Sequence, residues 1–529
     1  MIGMCMAKFN FKSRSLLLAA ALTCALAGCT VGPKYHPPTT QAPDAYKESP
    51  TNVPPQAPAP SVGTASDPTL GGLGVWTVAK PQDALLRGKW WEIYNDAELN
   101  ALEEQLNINN QNIKQYFENF MAARAIVRQA HAQLFPTVST APSWSRSRSS
   151  SNLVNTTGGG GSTLRGTTST LIELPVDASW APDLWGKVRN TIRQAQYSAQ
   201  LSAADLENER LTEQASLAIF FFELRGQDAL QQILNETVAA DQKSLDYTRA
   251  QYETGLTDQL AVVQAESTLQ SAQSQATNLG VARAQYEHAI AVLIGKIASD
   301  FSIPAKPMLI TPPPIPIGLP SQLLERRPDI AAAERAMAAA NAQIGIGYAA
   351  YYPNLSFSPA AGFQSSTWEH LVDWTSRFWS IGPTISQNIF DAGLRRATVQ
   401  QYIATYNANL AAYRQTVLAG FQQVEDALAT LRILTQQIQQ QRKAVESATV
   451  ALDLETKRYQ EGIDPYIDVV IQQNTLLSSQ QILAQIEIQR TTASVQLIEA
   501  LGGGWDNTQL PTPQQVIAKP EKADTTIQQ

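Results

Sequence analysis

The chain has 529 residues, of which 44% are hydrophobic and 16% charged, and its formal net charge at pH 7 is −7. An acidic chain without a basic patch interleaved with aromatic residues is not typical of a nucleic-acid-binding protein. The four histidines lie in unrelated regions, and the GGGG run at 158–161 lacks the Lys-Ser/Thr of a phosphate-binding loop. These patterns predict a protein that is not an enzyme and has no cofactor or metal.

The N-terminus has the features of an export signal. Three basic residues precede an uncharged apolar stretch from Leu16 to Ala27, which is too short to span a bilayer as a mature helix. The sequence Leu-Ala-Gly-Cys then matches the lipoprotein box of bacteria, which predicts a covalent lipid on Cys29. Cleavage before Cys29 removes the three positive charges and no acid, so the net charge moves from −7 to −10. An ordinary secretory signal with a chance cysteine is the alternative.

Two halves of the chain resemble each other. Residues 183–195 align with 390–402 at a shift of 207, and this register continues without a gap, pairing Gly255 with Gly462. Upstream, the two halves align at a shift of 217, and the difference falls near a Gly/Ser/Thr-rich segment that is typical of an exposed loop. Copies of this size exceed a solenoid repeat and indicate a duplicated large module.

The repeat predicts how the chain is divided. The expected segments are a signal peptide at 1–28, an N-terminal extended segment at 29–89, a first repeat at 90–297, a Pro-rich connector at 298–320, a second repeat at 321–503 and a C-terminal tail at 504–529.

Each repeat is predicted to contain a helix, two strands, a very long helix, a turn and a shorter helix. No proline occurs from 392 to 464, and apolar or small residues recur there at steps of four and three residues, as in a coiled coil. A helix of about 70 residues is about 105 Å long. We expect a counterpart at about 187–254, with Gly255 and Gly462 as the C-terminal caps of the two helices.

The shorter helices are predicted at about 258–296 and 465–501. Helices as long as the first pair cannot bury themselves in a compact domain, so they need neighbours of similar length. We therefore expect a bundle or tube of helices, with a rod-like structural coiled coil as the alternative.

Four segments between the helices are candidate strands, at about 137–147, 170–182, 354–366 and 377–390. With 11 to 14 residues, each is long enough for a tilted transmembrane strand of 9–11 residues, and each has partly alternating polarity and aromatic residues near its ends. A soluble four-stranded sheet is the alternative. Because four strands cannot close a barrel and an open edge in lipid leaves backbone groups unsatisfied, we expect an oligomer.

Several motifs spread over nearly the whole mature chain carry a resemblance to a known family. They are CTVGPKYHPP at 29–38, WWEIYNDAELNALEEQ at 90–105, FDAG at 390–393 and RYQEGIDPYIDVV at 458–470. With them the chain resembles the TolC-like outer membrane efflux proteins, in particular their lipidated branch. The residue after Cys29 is threonine, not the aspartate that retains enteric lipoproteins in the inner membrane, which by resemblance implies the outer membrane.

The resemblance implies a mainly α fold with a transmembrane β-barrel. Three chains would form a twelve-stranded barrel in the outer membrane, continuous with a periplasmic α-helical barrel, and the connector and termini would form a belt around it. The implied function is a passive exit duct for drugs or other small toxic compounds. Its implied partners are a periplasmic adaptor protein and an inner-membrane transporter.

The resemblance also implies a ring of acidic side chains at the periplasmic end of the duct, which favours cations. Counting from Gly462, Asp468 falls on an aspartate position, whereas Ile471 stands where a second aspartate is often found. In the first turn, Ala261 replaces an aspartate that latches the closed state in some members. We expect Asp468 and Ile471 at the aperture, with a solvated acid at a helix start as the alternative for Asp468.

Two other functions share parts of this pattern. The exit channel of a one-step protein secretion system has the same fold, although the lipoprotein box favours a drug-pump component. A structural envelope lipoprotein would brace the periplasm and pass no current, so conductance separates it from both ducts.

Overall fold

A computed structural model describes residues 30–38, 43, 46–48, 88–150, 168–315 and 320–518. The predicted signal peptide, Cys29 and most of the Gly/Ser/Thr-rich loop lie outside the described residues, as do four residues of the Pro-rich connector. No helix in these ranges combines the length and hydropathy that a membrane span needs.

Two helices of 67 residues each dominate the described chain, and at 1.5 Å per residue each is about 100 Å long. Both predicted long helices are therefore confirmed, as are the two shorter helices that follow them. The helices are α1 (Ala97–Asn109), α2 (Gln111–Ala132), α3 (Lys187–Glu253), α4 (Gln259–Leu293), α5 (Pro320–Arg326), α6 (Pro328–Ala349), α7 (Leu394–Gln460), α8 (Tyr466–Ala500) and α9 (Pro513–Ile517).

The helix ends repeat at the shifts found in the sequence. The bounds of α7 and α8 equal those of α3 and α4 after a shift of 207, and those of α6 equal those of α2 after a shift of 217. These three pairs of helices thus have equal lengths in the two repeats, whereas α1 has 13 residues and α5 has 7.

Both long helices begin at a glycine in the left-handed region, Gly186 with φ +79° and Gly393 with φ +90°. Just before each glycine, an aspartate fixes the first turn. Asp183 accepts hydrogen bonds from two backbone N–H groups of α3 at 3.1 and 2.9 Å, and Asp391 accepts two at the start of α7 at 3.1 and 3.3 Å. Carboxylates are stabilised at this end by the unpaired N–H groups and the helix dipole. The FDAG motif is therefore a helix start.

The four predicted strand segments are present, but the expectation that each is continuous is wrong for three of them. The strands are β1 (Thr137–Ser139), β2 (Ser143–Arg148), β3 (Thr168–Ser179), β4 (Asn354–Phe357), β5 (Ala360–Ser365), β6 (Arg377–Ser380) and β7 (Pro383–Ser386). The predicted segments 137–147, 354–366 and 377–390 are each divided in two, and the last ends at Ser386. Proline has no backbone N–H to donate to a ladder, although β3 continues through Pro175. A proline stands at or beside each break: Pro142, Pro359 and Pro383.

The strands form a five-stranded antiparallel sheet and a two-stranded one, and a single bridge between Trp180 and Phe357 joins the two. Together they make four antiparallel lanes: β1–β2, β3, β4–β5 and β6–β7. β1 and β2 both pair with β3, β3 pairs with β5, β5 pairs with β6, and β4 pairs with β7. The outer lanes are β1–β2 and β6–β7. Gly362 faces Pro175 of β3, and a Cβ on this glycine would lie 2.3 Å from the carbonyl oxygen of Leu174. Glycine is therefore required where these lanes meet.

The largest apolar core lies at mid-height of the helices, around the turn Trp90–Tyr94. Trp90 is fully buried and donates its indole N–H to Gln214 of α3 at 3.3 Å. The hydroxyls of Tyr94 and Ser494 lie 2.7 Å apart, which connects this turn to α8. The WWEIY sequence is therefore the centre of the first repeat's core.

A buried charge network fastens the connector to the first repeat. Asp228 of α3 lies between two arginines, 3.1 Å from Nη1 of Arg225 and 2.7 Å from Nε of Arg283. The backbone N–H of Lys306 donates to the same carboxylate at 2.9 Å, and Arg225 donates to the carbonyl of Pro304 at 2.8 Å. The connector is therefore held by charge-assisted hydrogen bonds.

The N-terminal segment contacts the second repeat in a more exposed way. The backbone N–H groups of Lys47 and Glu48 donate to the carboxylate of Glu425 on α7 at 2.8 and 3.0 Å. The Glu48 carboxylate then pairs with Arg432 at 2.6 Å.

Candidate periplasmic aperture

The turn glycines Gly255 and Gly462 follow the last residues of α3 and α7. Both have positive φ, +74° and +73°, and no atom of the described structure lies within 4 Å of a Cβ added at either. The N–H of the residue after each glycine donates back into the helix, Leu256 to Gln251 at 2.8 Å and Ile463 to Arg458 at 2.9 Å. These are Schellman caps, in which glycine is needed for its conformation and not for space.

Two acids near the turns have local roles. Asp258 caps α4 by accepting from the N–H of Ala261 at 3.1 Å. Asp464 pairs with Arg458 across the second turn, with Nη2 and Oδ1 3.1 Å apart. The Arg458 guanidinium lowers the pKa of Asp464. An ion pair thus spans the second turn, whereas in the first turn the aspartate forms the N-cap of the next helix.

Asp468 lies half-buried in the first turn of α8, where its N–H donates to the carbonyl of Pro465 at 3.1 Å. Desolvation raises the pKa of Glu455 on α7, and the nearby carboxylates of Asp464 and Asp468 raise it further. Three carboxylates therefore lie near one arginine at the second turn. No group of His, Cys, Asp and Glu in the described ranges is arranged to hold a metal ion.

Ile471 lies one turn beyond Asp468 and is 50% exposed. Ile467, one helical turn before Ile471 on α8, is also exposed, as is Ile463 in the turn before the helix. The first turn also exposes apolar side chains: Leu256, Leu260 and Val263. The structure thus places the predicted aperture residues at the same end of the molecule as both turn glycines.

A tyrosine cluster behind the turns was not predicted from the sequence. Tyr459 is 9% exposed, its ring lies 5.3 Å from that of Tyr466, and its hydroxyl donates to Gln251 of α3 at 2.6 Å. The repeat alignment pairs Tyr459 with Tyr252, yet Tyr252 is 47% exposed. The sequence therefore shows a tyrosine at this position in both repeats, and only the packing of the helices shows that Tyr459 is the buried one. A cavity of about 720 Å³ separates the two turns.

Comparisons with known proteins agree with this architecture. The family model described as outer membrane efflux protein matches residues 102–296 and 319–503. The chain is 31% identical over 494 residues to the toluene efflux pump outer membrane protein TtgC of Pseudomonas putida, covering 93% of this chain and 96% of that one. It is 26% identical over 504 residues to the cation efflux system protein CusC of Escherichia coli, covering 92% and 98%.

Among solved structures, the outer-membrane channel OprN superposes with a TM-score of 0.78 at 27% identity, covering 90% of this chain and all of that one. The Neisseria gonorrhoeae MtrE channel, at 22% identity and a TM-score of 0.73, shares the fold, with 90% of this chain and 98% of that one covered. The predicted combination of a helical barrel with a β domain is confirmed. The chain belongs to the outer membrane efflux protein family, a family of non-enzymatic exit ducts that extend from the outer membrane into the periplasm.

Proposed function

We propose that three copies of this chain form a lipid-anchored duct that carries small organic compounds out of the cell. The duct receives them from an inner-membrane transporter through a periplasmic adaptor protein. The observation that carries this proposal is the open four-lane sheet joined to two helices of 67 residues.

The sheet supports the oligomer. Among the described strands, the lanes β1–β2 and β6–β7 each have a neighbour on one side only. In lipid, a free edge leaves N–H and C=O groups without partners, at several kcal/mol each, so a membrane sheet must close. Four lanes are too few for a closed barrel, and three copies provide twelve, an even number within the known range.

The relatives support the cargo class. Relatives at 30 or 31% identity include proteins named for efflux of toluene, antibiotics and solvents. The relative named for cation efflux is 26% identical. We therefore infer organic compounds as the cargo of this chain.

The first described residues support the anchor at Cys29. The N–H of Val31 donates to the carbonyl of Trp185 at 3.2 Å, and the side-chain amide of Asn190 donates to the carbonyl of Val31 at 3.2 Å. Gly32 passes so close to α6 that an added Cβ would lie 2.6 Å from Cα of Gly345. The chain just after Cys29 is therefore held at the sheet-proximal end of α3, where a lipid would reach the membrane.

Asp468 and Ile471 are proposed to line the aperture. Single-channel recordings of Asp468→Ala test this, with Asp453→Ala as the control because Asp453 is an exposed acid of α7 paired with Lys457 at 2.6 Å. We expect a larger closed-state current and weaker cation preference in Asp468→Ala alone. A current equal to that of the control removes Asp468 from the aperture.

Accumulation of dyes, antibiotics and small aromatics, with and without this gene, tests the function. We expect some compounds to accumulate in its absence and to be cleared on complementation. Loss of exported proteins from the medium, with no change in accumulation, would favour the secretion channel. A purified protein that inserts into bilayers and passes no current would favour the structural lipoprotein.

A further inference from the structure

The two faces of the sheet differ in composition. Residues that pair across antiparallel strands lie on the same face, and side chains alternate along each strand, so the register assigns every strand residue to one face. One face, called the apolar face here, carries Val138, Ile172, Leu174, Val176 and Phe363. The opposite face carries serines such as Ser139, Ser143, Ser145 and Ser169. In a closed membrane barrel the apolar face contacts lipid and the polar face lines the lumen.

Three arginines lie on the apolar face. Arg146 and Arg148 follow Trp144 by two and four residues on β2, and Trp144 pairs with Ile172. Arg377, the first residue of β6, pairs with Phe363. All three are exposed, and within the described ranges none of them forms an ion pair with an acidic side chain. A charge on the lipid face is costly at the bilayer centre and is tolerated near the interface, so the arginines should lie at head-group level.

The arginines lie at the end of the strands that is remote from the helices. Strand β2 leads away from α2 and ends at Arg148, whereas β6 begins at Arg377 and leads back towards α7. Because the helices extend into the periplasm, this end of the sheet lies in the outer leaflet. Each outer lane also has a tryptophan two residues from an arginine on the same face: Trp144, 59% exposed, and Trp379, 73% exposed. Tryptophan at this depth is typical of the membrane–water interface.

Closure of the sheet would bring the arginines of two copies together. Within one copy, β3 and β5 separate β2 from β6, which places the two outer lanes about 14 Å apart. Among the described strands, the free edges belong to the lanes β1–β2 and β6–β7, so closure places the first lane of one copy beside the last lane of the next. Neighbouring lanes are only about 5 Å apart. Arg146 and Arg148 would then share a boundary between copies with Arg377 of the next copy.

We propose that each boundary between copies binds the phosphate groups of one lipopolysaccharide molecule of the outer leaflet. Arg146 and Arg148 of one copy and Arg377 of the next donate to the phosphates, and Trp144 and Trp379 contact the first carbons of the acyl chains. The inference rests on the proposed function, because the site is incomplete until a second copy closes the sheet.

The chemistry of the site fits this lipid. The planar guanidinium group matches phosphate oxygens with two parallel hydrogen bonds. The Arg377 guanidinium is already held 3.9 Å from the centre of the Trp374 ring, which restricts its orientation. Lipid A, the membrane part of lipopolysaccharide, carries phosphate monoesters with up to two negative charges each, whereas a phospholipid such as phosphatidylglycerol offers a single charge. Three arginines therefore favour lipid A over a phospholipid.

Native mass spectrometry of the purified full-length protein, titrated with bisphosphorylated lipid A, tests the proposal. We expect three lipid molecules per trimer, with about tenfold weaker binding of monophosphorylated lipid A and of phosphatidylglycerol. The double variant Arg146→Gln/Arg148→Gln and the single variant Arg377→Gln should each weaken all three sites about tenfold. The matched control is Arg414→Gln, which removes an exposed arginine about 30 Å from the start of α7 and should bind lipid A like the unmodified protein.

Three results overturn the inference and leave the duct intact. They are trimers that bind phosphatidylglycerol as tightly as lipid A, arginine variants of the sheet that bind like Arg414→Gln, and six lipids per trimer of which each variant removes three. The last result would mean separate sites on the two lanes. The same spectra report the number of copies, so a chain that remains monomeric overturns the proposed duct and the shared site together.

Discussion

The long helices and the helices that follow them have the same lengths in the two repeats, yet different interactions stabilise each repeat. In the first repeat the buried Asp228 carboxylate joins Arg225, Arg283 and the connector. At a shift of 207 the arginines recur as Arg432 and Arg490, but the acid becomes Thr435. Arg432 finds its carboxylate in the N-terminal segment, at the surface. Both repeats therefore share the helices and the two arginines. The buried carboxylate partner of Arg225 is on the same helix, whereas that of Arg432 is in the N-terminal segment.

The largest effect is expected at the buried network. Asp228→Ala removes the carboxylate that Arg225 and Arg283 share, although Arg225 keeps Glu98 and Arg283 keeps Glu287 as a partner, and we expect a loss of about 3 kcal/mol of unfolding free energy. Denaturant unfolding of the purified protein measures it. The matched control is Thr435→Ala, the same position in the second repeat, where we expect a loss below about 1 kcal/mol. Equal losses at the two positions would show that the network adds no stability of its own.

The turn glycines test the similarity of the repeats. Gly255→Ala and Gly462→Ala place a Cβ at positive φ, and each is expected to lower the unfolding free energy by about 1–2 kcal/mol. Gly280→Ala, in the open interior of α4, is the control and should raise it by about 0.5–1 kcal/mol. A marked difference between the two turns would mean that the caps are not equivalent.

A smaller effect is expected where the second repeat is fastened. The Arg432 side chain is 46% exposed, so Arg432→Ala should lower the unfolding free energy by less than about 1 kcal/mol, and high salt should remove the difference. The same measurement as for Asp228→Ala applies. A loss as large as that of Asp228→Ala, unchanged by salt, would contradict the contrast between the repeats.

The smallest effect is a pH difference between the turns. Because pairing with Arg458 lowers the pKa of Asp464, its contribution is present above the ordinary pKa of 3.8 and is lost as the pH falls through the lower folded value. Deuterium exchange of residues 458–466 should therefore increase below about pH 4, and Asp464→Asn should show this faster exchange already at neutral pH. The first turn, capped by Asp258, serves as the reference. Unchanged exchange in the Asp464→Asn protein would show that the ion pair between Arg458 and Asp464 does not stabilise the turn.

Those features of the fold that depend on periodicity or on a single residue type, such as the long helices and their turns, could be predicted from the sequence. The absence of proline between 392 and 464 and the glycines at the turns specified the long helices to within a few residues. The strand breaks could not be predicted from proline alone, since Pro142, Pro359 and Pro383 stand at or beside breaks whereas β3 continues through Pro175. A buried carboxylate such as Asp228 could not be predicted, since a carboxylate in a helical pattern is normally on the solvated face.

The distance in sequence from Gly462 was enough to predict that Asp468 and Ile471 lie at the turn end of α8, because both follow that glycine by less than three helical turns. The sequence alone did not distinguish Tyr459 from its repeat partner Tyr252. Tyr459 is buried because α7 packs its side chain against α3, whereas Tyr252 lies on α3 itself and points to solvent.

The equal lengths of α3 and α7 constrain how this chain can change. Each residue inserted into one long helix would move its turn by about 1.5 Å along the axis and rotate every later side chain by about 100°. Deleting seven residues from α7 alone would leave its turn about 10 Å short of the other one. The hydrogen bonds that α3 makes with α8 and α7, Ser244 with Gln473 and Gln251 with Tyr459, would then be lost. Tolerated insertions and deletions should therefore occur in pairs, one in each repeat and in both helices of a hairpin, while unpaired ones should be confined to the loops near the sheet.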